Sequence, residues 1–129
     1  MSETGYLLDS SAILAFLFGE EGADRVVDLL GSAVVSSVNL TEVVAKQYDR
    51  GVSKAEIAAN LADLDLAVID FEEALAIGAG ELRPITRHLG LSLGDRACLA
   101  TAQARGYTVV TADRSWNQLK LGIAIEVLR

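Results

Sequence analysis

Five short apolar or β-branched runs, with helix-patterned stretches between them, constrain this chain more than any other feature. Tyr6-Leu7-Leu8, Ala33-Val34-Val35-Ser36, Leu66-Ala67-Val68-Ile69, Tyr107 to Thr111 and Ile123 to Leu128 read as strands. Strands that alternate with helices must be joined by crossovers that return over the sheet, so the sheet is parallel and covered on both faces. The expected fold class is α/β, a three-layer α/β/α sandwich around a central parallel five-stranded sheet.

The helices have recognisable ends. Ser10-Ser11 opens Ala12 to Leu17, and Ala23 to Leu30 carries Val26, Val27, Leu29 and Leu30 on one side against Asp24, Arg25 and Asp28 on the other, closed by Gly31. Asn39 is expected to cap Leu40 to Arg50, and Ser53 to cap a helix running to about Leu64. Phe71 to Leu82 is helical by composition, and Pro84 either begins a new turn or kinks a longer helix continuing towards His88. Gly94 to Arg105, closed by Gly106, and a short helix Ser115 to Leu119 complete the pattern. A chain of 129 residues supports one core of useful size, so residues 1–129 are read as a single domain.

In such open sheets ligands bind beyond the carboxyl ends of the strands, where the winding reverses. Four acids are expected near that edge. Asp9 ends the first strand, Glu42 lies one turn into the helix after the second, Asp95 opens a helix, and Asp113 follows the fourth strand. Each has a plain alternative: Asn39-Leu40-Thr41-Glu42 and Ser92-Leu93-Gly94-Asp95 both have the form of capping boxes, and Asp113 can cap the helix after it. Together, however, four carboxylates at one edge repel strongly unless cations intervene. Oxygen-only ligands suit Mg2+, or Mn2+, and disfavour zinc. Such a pocket suits hydrolysis of phosphodiesters. Asp70, with Glu73 after it, has the same local form and is excluded only if the third strand is an outer edge.

Charge sharpens this reading. A net charge of −7 opposes binding to nucleic acid, which normally relies on Lys and Arg. Bound divalent cations weaken that objection, so RNA as substrate requires metal. Cys98, the one cysteine, sits in an apolar helical pattern and reads as a small core residue in a reducing compartment. The longest fully apolar run, Ala12 to Phe18, is far short of the roughly 20 residues that cross a bilayer, and Met1 to Gly5 lack the pattern of a secretion signal. A cytoplasmic protein without membrane contact is expected.

Leu8-Asp9-Ser10-Ser11-Ala12, Val38 to Val43, Leu91 to Ala100 and Val110-Thr111-Ala112-Asp113 resemble the successive motifs of PIN-domain proteins, and more narrowly of VapC-type toxins of type II toxin–antitoxin systems. The resemblance spans nearly the whole chain. It implies a PIN fold with strand order 3-2-1-4-5, which puts Asp70 outside the site. It also implies an Mg2+-dependent endoribonuclease held inactive by a VapB-type antitoxin, as a homodimer or a toxin–antitoxin hetero-oligomer. Carried over by position, Asp9 and Asp95 are the principal metal ligands, Glu42 completes the pocket and orients water, and Asp113 binds a second cation directly or through water. Ser11 and Thr111 match positions whose hydroxyls support the pocket, with simple cap and strand roles as the alternative.

Other residues have plainer readings. His88 is expected to meet terminal helix carbonyls, Trp116 to pack a short helix on the core rather than stack on a base, and Arg83, Arg87, Arg96 and Arg114 to meet either RNA phosphates or neighbouring acids. Ala12 to Phe18 is apolar almost all round, which means either deep burial or a partner surface.

Competing functions are a PIN nuclease in RNA processing or DNA cleavage without an antitoxin, and a non-catalytic acidic-pocket module. A phosphoacceptor receiver needs a Lys where this chain has Thr111-Ala112-Asp113, and a haloacid-dehalogenase-like phosphatase needs a second Asp where it has Ser11.

Overall fold

A computed structural model of the chain describes residues 5–129; Met1 to Thr4 of the segment judged unlike a secretion signal lie outside it. The elements follow as β1 (Tyr6–Leu8), α1 (Ser10–Leu17), α2 (Ala23–Leu29), β2 (Ala33–Ser36), α3 (Ser37–Asp49), α4 (Lys54–Leu64), β3 (Ala67–Ile69), α5 (Glu73–Thr86), α6 (Leu93–Arg105), β4 (Thr108–Thr111) and β5 (Ile125–Val127). Single 3-10 turns occupy Leu30–Ser32, Arg87–Leu89 and Arg114–Gln118. The strands form one parallel sheet in the order β3-β2-β1-β4-β5. The α/β/α sandwich and its strand order are as expected.

The two-residue period of a strand sorts neighbours onto opposite faces. Leu7 and Val109 pack with Leu82, Cys98, Leu99 and Trp116 under α5 and α6. Leu8 and Val110, one residue on, pack with Ile13, Val26, Val35 and Val43 under α1, α2 and α3. All four strand residues are fully buried, which is why β1 and β4 read as continuous apolar runs.

Winding proceeds outward from β1 through β2 to β3, then crosses back to β4 and β5 on the other side of β1. The reversal therefore falls between β1 and β4, whose carboxyl ends are locked together by the Asp9 amide donating to the Val110 carbonyl at 3.0 Å. β3 is an outer strand, so Asp70 stands beyond β2 from the reversal, and its side chain is exposed.

Three local expectations are corrected. Asn39 caps nothing: α3 starts directly from the strand, with Ser36 extended and its Oγ accepting from the Val38 amide at 3.3 Å. Asn39 is thus carried inside the first turn of α3 and buried, and Asn39 to Glu42 form no capping box. Second, α5 begins at Glu73 rather than Phe71, because the Glu72 carboxylate accepts from the amides of Ala74 and Leu75. It runs on through Pro84 to Thr86, the longer of the two alternatives expected there. Third, the last strand is only Ile125–Val127. Ser53, Ser92 and Asp113 cap as expected, and Gly106 ends α6 in the left-handed conformation (φ 74°) that glycine adopts without strain.

Within α1, Ala12, Ile13 and Ala15 are buried, whereas Leu14, Phe16, Leu17 and Phe18 keep part of their surface. The Arg50 guanidinium stands over the Phe18 ring, 4.1 Å from its centroid. No helix among the described residues is long and apolar enough to cross a membrane.

Candidate active site

Asp9 occupies the reversal between β1 and β4. Extended backbone at this residue turns its carboxylate back over the start of α1, where Oδ1 accepts from the Ala12 amide at 2.8 Å and from Ser11 Oγ at 2.7 Å. Across the strand boundary, Thr111 Oγ1 donates to Oδ2 at 2.6 Å. Ser11 Oγ in turn accepts from the Ala112 amide at 2.9 Å, and Thr111 Oγ1 from the Asp113 amide at 3.0 Å. The hydroxyls of Ser11 and Thr111 therefore both orient Asp9 and tie it to the end of β4.

Asp9 is only 4% exposed. Burial pushes its carboxyl up to about 6, against the lowering effect of the three hydrogen bonds, and the nearby Asp95 charge adds to the rise. A buried carboxylate with three donors and no cationic neighbour is an incompletely compensated charge. Among the described residues the ion pairs join Arg25, Arg50 and Arg129 to Glu126 and Glu20, and none reaches Asp9, Glu42, Asp95 or Asp113.

Asp95 is presented by the first turn of α6 through a capping box: its Oδ2 accepts from the Ser92 amide at 3.0 Å while its own amide donates to Ser92 Oγ at 3.1 Å. The capping reading of Asp95 is thus correct, but it does not exhaust the residue. Burial raises its carboxyl, and the charges of Glu42 and Asp113 raise it further. Glu42, half-buried on α3, accepts from Asn39 Nδ2 at 2.9 Å. Asp113 is exposed and caps the turn after it, accepting from the Ser115 amide at 3.0 Å and Ser115 Oγ at 2.6 Å. Asp95 is thus within electrostatic reach of Asp9, Glu42 and Asp113, each from a separate stretch of chain.

Their chemistry fits a hard divalent cation. Every donor is a carboxylate oxygen, and the pocket has charge to be neutralised. Among the described residues no three acidic, His or Cys side chains form a ready-made cage. Mg2+ characteristically takes one or two carboxylates and keeps several waters, so a looser cluster suits it.

Several nearby residues do other work. Burial lifts the Cys98 thiol well above the ordinary range, with the carboxylates of Asp9, Asp95 and Glu42 adding to it, so this cysteine is an inert core residue as expected. Trp116 is 1% exposed and packs in the core, with no face open to a base. Arg96 Nη1 donates to the Ala79 carbonyl at 3.2 Å, fastening α6 to α5, and Arg114 Nε donates to the Arg129 carbonyl at 3.3 Å. Arg83, Arg87 and His88 are exposed. Sequence reasoning missed Asn39 as a member of this cluster; the three-residue spacing to Glu42 that signals one helix face is the same spacing that signals a capping box.

A parallel sheet reversing beside carboxylates within electrostatic reach of one another is an acidic centre whose chemistry suits a divalent cation. The narrower assignment comes from the family model for the PIN domain, which matches residues 6–121: the chain belongs to the PIN-domain family, a family of nucleases that generally use divalent metal ions. It is similar over 98% of its length to the whole of a chain of the DNA-bound VapBC from Salmonella typhimurium, at 26% identity and a TM-score of 0.69. VapBC2 from Rickettsia felis, bound to a promoter DNA fragment, matches at 24% identity and a TM-score of 0.69, covering 96% of this chain and 98% of that one. VapBC-5 from Mycobacterium tuberculosis, a member of a family of toxin–antitoxin systems, matches at 20% identity and a TM-score of 0.66, covering 98% and 99% of the two chains. Of these, the last two bear on the fold alone. A search of curated proteins finds no match.

Proposed function

We propose that this chain is an Mg2+-dependent endoribonuclease and the toxin of a VapBC-type pair. The observation that carries the reading is Asp9: a buried carboxylate, held by three donors and close to Asp95, that no cation among the described residues neutralises. Asp9 and Asp95 would hold the principal cation, with Glu42 and Asp113 completing the pocket. When bound, Mg2+ or Mn2+ supplies a Lewis acid for the phosphodiester and makes water easier to ionise.

The residues themselves then divide the work. Thr111, Ser11 and the Ala12 amide keep Asp9 ionised and aimed in one direction, so that no reorientation is needed during cleavage. Ser92 does the same for Asp95. Glu42, only partly buried and held on one oxygen by Asn39, would orient an attacking water and accept its proton. Neutralisation of the acids offsets the repulsion that a chain of net charge −7 exerts on RNA.

A VapB-type antitoxin as partner is supported by the likeness to toxin–antitoxin assemblies and by apolar surface left open on α3. Leu40, Val44, Ala45 and Tyr48, with Thr41, line an open groove there, and Tyr48 is half exposed. A cognate antitoxin segment would cover it and silence cleavage.

The test is cleavage of total cellular RNA by the purified chain in Mg2+ or Mn2+, with and without EDTA, beside Asp9→Asn. Discrete fragments that EDTA and the substitution both abolish support the reading. Identical behaviour of the two proteins, or indifference to EDTA, would reduce the acids to helix caps.

A further inference from the structure

The junction of α3 and α6 holds a side chain that the mechanism above names only as a partner of Glu42. Asn39 is 1% exposed and lies on α3 three residues before Glu42, on the same helical face. Its Nδ2 donates to Glu42 Oε1 at 2.9 Å and to the Gly94 carbonyl at 3.2 Å. Both partners are acceptors only, so the amide has one possible orientation. Its Oδ1 is buried with no hydrogen-bond partner among the described residues. Burying a primary amide and leaving its oxygen unpaired is unfavourable. An apolar residue would join the two helices at lower cost, so the amide's value lies in what its nitrogen holds.

Gly94 makes the complementary half of this arrangement. A Cβ at position 94 would fall on the Glu42 carboxylate, in contact with both oxygens and Cδ. The carboxylate therefore lies directly over the first turn of α6, one residue from Asp95, in space that exists only because position 94 has no side chain. A glutamate on an open helix surface samples many rotamers. Here one oxygen is fixed by an amide.

We propose that Asn39 is a positioning residue that, with the glycine at 94, seats the Glu42 carboxylate beside Asp95 and so sets the affinity of the pocket for a divalent cation. The inference rests on the metal-dependent reading above. Groups that orient metal ligands typically contribute about 10–100-fold in metal affinity or activity, which sets the expected size of the effect.

The experiment uses the purified full chain and Mn2+ alone, with free Mn2+ counted by paramagnetic resonance, so no cleavage is needed. Wild type, Asn39→Leu, Glu42→Ala and the double variant form a cycle. Asn39→Leu is expected to weaken Mn2+ binding about tenfold or more in the wild-type background. It should add little in the Glu42→Ala background, because the carboxylate it positions is gone. Equal losses in both backgrounds would show a brace between helices with no action through Glu42, and would overturn the proposal, as would unchanged affinity. Gly94→Ala gives an independent route if Asn39→Leu does not fold: it should match the loss seen in Glu42→Ala, and wild-type affinity in folded Gly94→Ala refutes the seat. Wild-type protein that binds no Mn2+ at all brings down the metal reading itself, an outcome distinct from wild-type binding that the variants leave unaltered.

Discussion

Replacing Asp9 by Asn should make the metal-free protein more stable at neutral pH while removing its response to cations. The carboxyl ionises at about 6 in the folded chain against 3.8 for the free group. The native state thus holds this proton more tightly than the unfolded state. Its contribution to stability is complete below pH 3.8 and is lost as pH rises through about 6. At about 1.4 kcal/mol per tenfold change, the ionised Asp9 leaves the protein roughly 3 kcal/mol less stable at pH 7.5 than a neutral group would. Asn is neutral, but its Nδ2 would face Thr111 Oγ1, which must stop donating there, at a cost of about 1 kcal/mol. The net expectation is a gain of about 2 kcal/mol, or a rise in melting temperature of roughly 8 °C for a domain of this size. Scanning calorimetry in EDTA from pH 4 to pH 8 reads it directly: the gain should vanish at about pH 4.5, turn into a small loss below it, and reach its plateau at about pH 7. Saturating Mg2+ should reverse the order, raising the wild-type midpoint and leaving the variant unmoved. An Asp9→Asn protein less stable than wild type in EDTA at pH 7.5 would refute the claim that this carboxylate is buried without sufficient compensation.

Three further outcomes are expected. Thr111→Val removes a donor to the ionised form of Asp9, so the carboxyl rises above its present value and the acid limb of Mn2+ binding moves to higher pH by roughly one unit; an unmoved limb would mean the 2.6 Å hydrogen bond contributes nothing. Asp70→Asn, at the outer edge of the sheet, should leave Mn2+ affinity unaltered in the same titration, and a clear loss would place this acid in the pocket. Trp116→Ala, which empties a fully buried position beside Leu99 and Val109, should cost about 3–5 kcal/mol in urea unfolding, and a loss below about 1 kcal/mol would contradict its place in the core.

Much of this molecule is legible before folding because the information is local. Leu7-Leu8 and Val109-Val110 are apolar on both strand faces, which only a doubly covered sheet can bury, and Ser53, Ser92, Gly106 and Asp113 mark helix ends by hydrogen bonds within a few residues. The four acids could be selected because crossovers in a parallel sheet deliver βα junctions to one edge. Tertiary structure had to decide what depends on neighbours distant in sequence. Strand order alone moves Asp70 to the rim while leaving Asp9 at the reversal, although their local signatures match. The pairing of Asp9 with Thr111, the lift in its ionisation and the cluster around Asp95 come from burial and long-range electrostatics, which no window of residues contains. Asn39 shows the limit most clearly: the same Asn-x-x-Glu spacing describes a cap and a buried brace. The start of α3 from Ser36 puts Asn39 inside the first turn, and its packing against Gly94 then makes it a buried brace.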